Sequence, residues 1–370
     1  MTAEAPPIER VAVLGAGAWG AALACVAARA GRRVALWAHD EEFAREIART
    51  RRSPRLPEAA LPEAVAATAD LGEALGGAGL ALIATPSRAV AEAARGMAAA
   101  DPEARVPALI CSKGLAPEGG LRLSEAAAAV CERREIGALS GPSFAIETAQ
   151  SLPTAVVIAA ADAGAGPDSL AARAAASLGG PSFRPYITDD LAGVEICGAM
   201  KNVIALAAGM ASGAGFGWNA RAALATRGLV EMAALAVAMG GRAETVGGLA
   251  GAGDLMLTCS TDRSRNFAHG YRLGTGEAPE DGEDAPLVEG VRAVGPVTEA
   301  ARARGVEAPI CEAVRRVTLE GASFAEGFRS LWSRPLRTEP GALDLRLANP
   351  GAHDEFRKVG FNPRPLSSDL

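Results

Sequence analysis

The chain has 370 residues, enough for two domains and a large core, and is 49% hydrophobic but only 4% aromatic, so Ala, Val, Leu and Ile must build that core. A net charge of −6 with both signs interspersed leaves no basic footprint for nucleic acid. Six scattered cysteines (Cys25, Cys111, Cys131, Cys197, Cys259, Cys311) lack any C-x-x-C pair, which argues against a disulfide framework or a zinc site and predicts a cytoplasmic protein with buried thiols.

The first element organises the rest. Val11–Leu14 has the pattern of a short buried strand, and Gly15, Gly17 and Gly20 follow at the spacing G-x-G-x-x-G before a helical run from Ala21 to Ala28. In a strand–turn–helix that holds a dinucleotide, Gly15 permits the tight turn, Gly17 lets the backbone approach the pyrophosphate, and Gly20 lets helix and strand pack closely. Free amides and the positive dipole end of the helix would face the phosphates. The uncharged stretch Val11 to Ala28 also has the length of a secretory h-region or a marginal membrane span. Its three glycines, its weakly apolar alanines and the Pro6, Pro7, Glu4 and Glu9 that precede it argue against both.

Up to about Asp190, short apolar runs alternate with helical stretches, as a covered parallel sheet requires. The predicted strands are Val11–Leu14, Val34–Trp37, Leu80–Ala84, Ala108–Cys111, Ala138–Leu139 and Ala155–Ala159; helices are expected over Glu41–Arg49, Arg88–Ala98 and Leu121–Glu132. Loops Thr85-Pro86-Ser87 and Ser112-Lys113-Gly114 fall at strand carboxyl ends, where ligands sit in a doubly wound sheet. After the second strand, Ala38 occupies the position where NAD-preferring folds carry an acid. His39 beside it leans toward tolerance of NADP, and Asp40 would rescue NAD if the strand ends later.

From about Leu191 the pattern turns helical: Val194–Met210, Ala220–Met239 and Pro296–Arg304, with glycine-rich breaks at Gly213–Gly217 and Gly247–Gly253. Gly274–Pro286 reads as an acidic surface loop. The expected fold is therefore α/β, an N-terminal Rossmann-like doubly wound parallel sheet (8–190) followed by an all-α C-terminal domain (191–335), with a poorly ordered tail (336–370).

Four stretches carry polar chemistry. Lys201 sits in an otherwise nearly apolar helix. Burial would lower its pKa into the range of catalytic lysines, whereas a lysine at the helix edge would snorkel to solvent. Asn202 beside it can hydrogen-bond a ligand. Asp254, after a glycine-rich turn, reads as a helix cap or a catalytic group. Ser264-Arg265-Asn266 suits phosphate oxygens, although Arg263 and Arg272 nearby also fit a solvated basic face. Ser140-Gly141-Pro142-Ser143-Phe144-Ala145 closes a strand and opens a helix, as an anion site or as a turn capped by Ser143.

In combination these motifs resemble the bacterial-type NAD(P)-dependent glycerol-3-phosphate dehydrogenases. The glycine fingerprint, Cys111-Ser112-Lys113-Gly114-Leu115, Ser140 to Ala145, Lys201-Asn202-Val203, Gly253-Asp254-Leu255, Ser264-Arg265-Asn266 and Val288-Glu289-Gly290 occur in that family's order from about residue 10 to 335. The resemblance implies Lys201 as proton donor and acceptor, aided by Asp254. It implies substrate contacts from Lys113, Gly141, Ser143, Asn202, Asp254, Thr258, Ser264, Arg265 and Asn266. It further implies cofactor contacts, to NAD or NADP, from Gly15, Gly17, Ala18, Trp19, Gly20, His39, Lys113, Ala145, Arg265, Leu287 and Glu289. The implied partner is a phosphorylated small molecule, with no nucleic acid and no integral membrane segment, and a homodimer is left open. Ala18 departs from a common Ser, and Ser143 from a frequent Thr. Alternatives are a related dehydrogenase of 3-hydroxy acids or sugar-acid phosphates, and a dinucleotide sensor without catalysis.

Overall fold

The computed structural model describes residues 4–277, 288–332 and 334. Leu287, most of the expected acidic loop and the 336–370 tail lie outside the described residues. The first half holds eight strands: β1 (Arg10–Leu14), β2 (Arg33–Trp37), β3 (Val65–Thr68), β4 (Leu80–Ile83), β5 (Ala108–Ile110), β6 (Ile136–Ser140), β7 (Thr154–Ala159) and β8 (Phe183–Thr188). Between them run α1 (Ala18–Arg29), α2 (Glu41–Thr50), α3 (Leu71–Leu75), α4 (Val90–Ala100), α5 (Leu123–Ala128), α6 (Ala145–Ala149) and α7 (Leu170–Leu178). The second half is helical: α8 (Leu191–Gly213), α9 (Trp218–Ala238), α10 (Ala243–Val246), α11 (Asp254–Ser260), α12 (Arg265–Thr275), α13 (Glu289–Ala303), α14 (Pro309–Leu319) and α15 (Phe324–Trp332).

The sheet order is β3-β2-β1-β4-β5-β6-β7-β8. Its first six positions have the doubly wound order, with the switch point between β1 and β4. Strand β1 is central and buried on both faces. Val11 and Val13 join the core under α1, while Ala12 and Leu14 join the one under α3 and α4. A two-sided strand of this kind reads as a continuous apolar run rather than an alternating one.

Two features correct the expected sheet. The β6–β7 pair is antiparallel, with Leu139 opposite Ile158. Its connection carries only the five-residue helix α6, too little to return the chain to the opposite edge of the sheet. Strands β3 and β8, which the sequence did not flag, are the two sheet edges. Edge strands tolerate weak patterning, and β8 accordingly holds Pro185 and exposed Tyr186 and Ile187.

In the helical half, every residue of α8 from Ala192 to Ala211 is buried. The helix is long and apolar enough to cross a membrane, yet 94% of its apolar window is buried inside the fold. Asp190 caps it through Gly193 N at 2.9 Å and accepts Arg242 N at 2.9 Å, fixing the entry from the sheet. Helices α8 and α12 run side by side in one direction. Asn202 faces Asn266, Leu206 faces Gly270 and Met210 faces Gly274, a constant offset of 64 residues. A Cβ on Gly270 would lie 2.2 Å from the Leu206 carbonyl oxygen, and one on Gly209 2.1 Å from that of Phe267. The glycines thus let two backbones touch, and that contact sets how the start of α12 meets the middle of α8. Helix α13 begins seven residues before Pro296, which lies inside it rather than at its start.

Candidate active site

The turn after β1 fits a dinucleotide at each glycine. Gly15 has φ +111°, and a Cβ there would lie 2.8 Å from the Ala84 carbonyl oxygen across the switch point. A Cβ on Gly20 would lie 1.8 Å from the Gly15 oxygen, so helix and turn meet without space for a methyl. At Gly17, the residue before α1, a Cβ would meet nothing within 4 Å. That face is open, with no side-chain cap and no acidic residue in the first turn of α1 to compete for its amides. Two buried polar atoms near the turn, Trp19 Nε1 and Thr85 Oγ1, have no protein partner among the described residues. Such atoms fit a site completed by a ligand.

Lys201 lies midway along α8, 8% exposed, so it does not snorkel to solvent. Its Nζ is 3.1 Å from Asp254 Oδ1 and donates to Thr258 Oγ1 at 3.1 Å. Thr258 in turn donates to the Asp254 carbonyl at 2.6 Å, one turn back along α11. The other Asp254 oxygen, Oδ2, accepts from Lys113 Nζ at 2.6 Å, and Lys113 also donates to the Gly141 carbonyl at 2.9 Å. The Lys113 stem passes beside Gly198 of α8, where a Cβ would lie 3.5 Å from Lys113 Cγ, an ordinary packing distance. Asp254 is the first residue of α11 rather than its cap, and follows a π-helical turn over Leu249–Gly253. That turn aims its carboxylate inward between two ammonium groups.

The electrostatics follow from this sandwich. Burial lowers the Lys201 pKa most strongly, the Asp254 charge offsets part of the fall and Lys113 adds to it, leaving Lys201 at about 8. Burial alone would raise Asp254, but the charges of Lys113 and Lys201 outweigh it and hold the carboxyl below its usual value. Lys201 is therefore able to give or take a proton near neutral pH, with Asp254 remaining ionised.

Ser264 caps α12 through Phe267 N at 3.3 Å, and the exposed Arg265 side chain has no ion pair or hydrogen bond among the described residues. Arg263, which the sequence offered as part of a solvated basic face, instead pairs with Glu147 at 3.3 Å. Asn266 and Asn202 bond each other, Nδ2 to Oδ1 at 2.8 Å, and Asn266 Oδ1 accepts Gly290 N at 2.8 Å. These amides are thus engaged within the protein. Ser143 does not cap α6; its hydroxyl donates to the Gly141 carbonyl at 2.9 Å. Ala145 is the first residue of α6 and Ala18 the first of α1. His39 is exposed beyond β2, edge-on to Trp37. Asp40 caps α2 through Phe43 N at 2.7 Å, which occupies the carboxylate that could have substituted for the missing acid. Glu289 accepts from Ser87 Oγ at 2.8 Å, a contact between the two halves that the sequence did not anticipate. The only sequence signal for it was the position of Ser87 just beyond a strand's carboxyl end.

Residues 10–165 match the model of the NAD-dependent glycerol-3-phosphate dehydrogenase N-terminus, and residues 190–329 match that of its C-terminus. The chain belongs to the NAD-dependent glycerol-3-phosphate dehydrogenase family. A relative from Rhodospirillum rubrum named glycerol-3-phosphate dehydrogenase [NAD(P)+] is 44% identical over 340 residues, covering 90% of this chain and 95% of that protein. One of the same name from Chelativorans sp. is 44% identical over 330 residues, covering 89% and 98%. The crystal structure of glycerol-3-phosphate dehydrogenase from Coxiella burnetii superposes with a TM-score of 0.82 at 37% identity, covering 89% of this chain and all of that one. Within this glycerol-3-phosphate dehydrogenase family member, Lys113 of the sheet half reaches directly to the Asp254 carboxylate that also pairs with Lys201 of the helical half.

Proposed function

We propose that this chain is an NAD(P)-dependent glycerol-3-phosphate dehydrogenase that interconverts dihydroxyacetone phosphate and sn-glycerol 3-phosphate. The observation that carries the reading is one buried carboxylate, Asp254, held between Lys201 of the helical half and Lys113 of the sheet half. The bound nicotinamide supplies or accepts the hydride at substrate C2. The protein orients the substrate and moves one proton. In reduction, Lys201 gives its proton to the C2 oxygen as negative charge develops there; in oxidation, neutral Lys201 removes it. Asp254 keeps Lys201 poised and, with Lys113 and Thr258, fixes its direction.

Arg265 and the first amides of α12, capped by Ser264, bind the substrate phosphate, and Asn202 and Asn266 hold that helix start against Lys201. Gly141 and Ser143 border the substrate, while Gly15, Gly17, Ala18, Trp19, Gly20, Ala145 and Glu289 line the cofactor. His39 at the end of β2, without an acid at Ala38, makes the site tolerant of NADP. Residues 8–190 form the dinucleotide-binding unit and 191–335 the substrate unit. The enzyme works in the cytoplasm, consistent with six free, buried cysteines, and supplies glycerol 3-phosphate for phospholipid synthesis.

Parallel assays of dihydroxyacetone phosphate with NADH and with NADPH test the reading. Consumption of either reduced cofactor only when the substrate is added is expected. Turnover of 3-hydroxy acids with none of dihydroxyacetone phosphate would replace it with the related-dehydrogenase alternative.

A further inference from the structure

A continuous set of contacts runs from the cofactor turn to the start of α12. The space above Gly15 is closed by Ala84 and Thr85, its Cβ position lying 2.9 Å from Thr85 N. Two residues on, Ser87 is 8% exposed and packs on the loop bearing Lys113, where a Cβ on Gly114 would lie 2.9 Å from Ser87 Cβ. Ser87 Oγ donates to Glu289 Oε2 at 2.8 Å, across the junction between the halves. The next residue, Gly290, donates its amide to Asn266 Oδ1 at 2.8 Å, and Asn266 Nδ2 donates to Asn202 Oδ1 at 2.8 Å. Gly290 admits no side chain, since a Cβ would lie 2.6 Å from the Asn202 carbonyl oxygen. The segment Glu289–Gly290 is thus gripped by Ser87 from the sheet and by two buried asparagines from the helices. One of those asparagines follows Lys201, and the other follows Arg265.

From this arrangement we infer that Ser87 is a positioning residue that couples the dinucleotide site to the phosphate-binding start of α12, acting through Glu289, Gly290 and Asn266. The inference rests on the proposed reaction for the identity of its ligands, and adds a residue and a coupling to it. A dinucleotide seated on the Gly15 turn fixes the Thr85–Ser87 loop. Ser87 then fixes Glu289, and the rigid Gly290–Asn266–Asn202 run carries that placement to Arg265 and Lys201. Each ligand therefore binds more tightly when the other is present, by the same factor in both directions.

The test uses NADH with sn-glycerol 3-phosphate, both reduced and so unable to react with each other. NADH affinity is measured by nicotinamide fluorescence with and without the phosphate ester, in wild type, Ser87→Ala and Ser87→Thr. In the wild type, the ester should tighten NADH about fivefold or more, within the usual range of such couplings. Ser87→Ala keeps the Cβ that packs on Gly114 and loses only the hydroxyl. Its NADH affinity without ester should stay within about twofold of wild type, while the tightening falls below about twofold. Ser87→Thr should restore the tightening. Unchanged coupling in Ser87→Ala, or no coupling in the wild type, overturns the inference; a general folding defect would instead weaken NADH alone and lower the melting temperature. Coupled binding without turnover of dihydroxyacetone phosphate would leave this inference standing and remove the proposed reaction.

Discussion

Asp254 Oδ1 lies 3.1 Å from Lys201 Nζ, with both side chains buried and with Lys113 Nζ 2.6 Å from the other carboxylate oxygen. Two ammonium groups share one carboxylate, so with both lysines protonated the cluster carries a net positive charge. Burial of such a cluster is tolerable because each ammonium group has the Asp254 carboxylate as partner and at least one further hydrogen bond, from Lys201 to Thr258 and from Lys113 to Gly141.

Lys201→Ala should remove the proton donor and leave the dinucleotide turn intact. Steady-state kinetics should show kcat reduced ~100-fold to 10,000-fold, the usual span of general acid–base contributions, while NADH affinity by fluorescence remains that of wild type. With Lys201 at about 8, kcat/KM for reduction should fall as pH rises through that value, because the protonated form is the donor. For oxidation it should rise through the same value, because the neutral form is the acceptor.

Asp254→Asn keeps the shape of the side chain and removes the charge that raises the Lys201 pKa. The pH limb assigned to Lys201 should move below about 8 in the pH–rate profile. Buried Lys201 and half-buried Lys113 then lose their common counter-ion, and unfolding in denaturant should register a destabilisation of about 3–5 kcal/mol.

Gly17→Ala and Gly20→Ala separate ligand contact from fold. A methyl at Gly17 meets no protein atom within 4 Å, so the melting temperature should hold while affinity for NADH and NADPH falls at least about tenfold. A methyl at Gly20 would lie 1.8 Å from the Gly15 oxygen, so both the melting temperature and cofactor binding should drop. Equal behaviour of the two variants would contradict the division of labour in the turn.

Glu195 and Glu231, which are not members of the Lys201–Asp254–Lys113 cluster, make stability depend on pH. Glu195, on α8, accepts from Ser124 N of α5 at 2.8 Å, and Glu231, on α9, accepts from Ile310 N of α14 at 2.7 Å. Burial is the largest influence on both and pushes each up to about 7 against those hydrogen bonds. The folded state therefore binds more protons than the unfolded one between the ordinary glutamate value near 4.5 and about 7. Their contribution is complete below that window and is lost as pH rises through it. Melting temperatures of Glu195→Gln/Glu231→Gln should accordingly be flatter than wild type across this range. The same downward slope in the double variant would refute the assignment.

The central strands were legible because both of their faces are buried, so Val11–Leu14 and Leu80–Ile83 appear as unbroken apolar runs. The edges β3 and β8 lacked that pressure: the short, alanine-rich β3 is only weakly apolar, and the mixed polarity of β8 hid it. Lys201 stood out for the same reason the strands did: a charge inside a long apolar helix requires a counter-charge or exposure. The glycine spacing also announced a turn, since only particular backbone contacts require glycines at those intervals.

Which groups meet was decided by tertiary structure, because contacts between residues far apart in the chain leave no local pattern. No periodicity relates Lys113 to Asp254, 141 residues apart, or Ser87 to Glu289, 202 apart. A solvated basic face built with Arg263 competed with the phosphate reading of Arg265, and only the tertiary structure pairs Arg263 with Glu147 while the Arg265 side chain stays exposed at the start of α12. The backbone contact of α8 with α12 then brings Asn266 to Asn202. Local physics thus wrote the strands, the turn and the isolated lysine into the sequence; close packing of distant segments chose their partners.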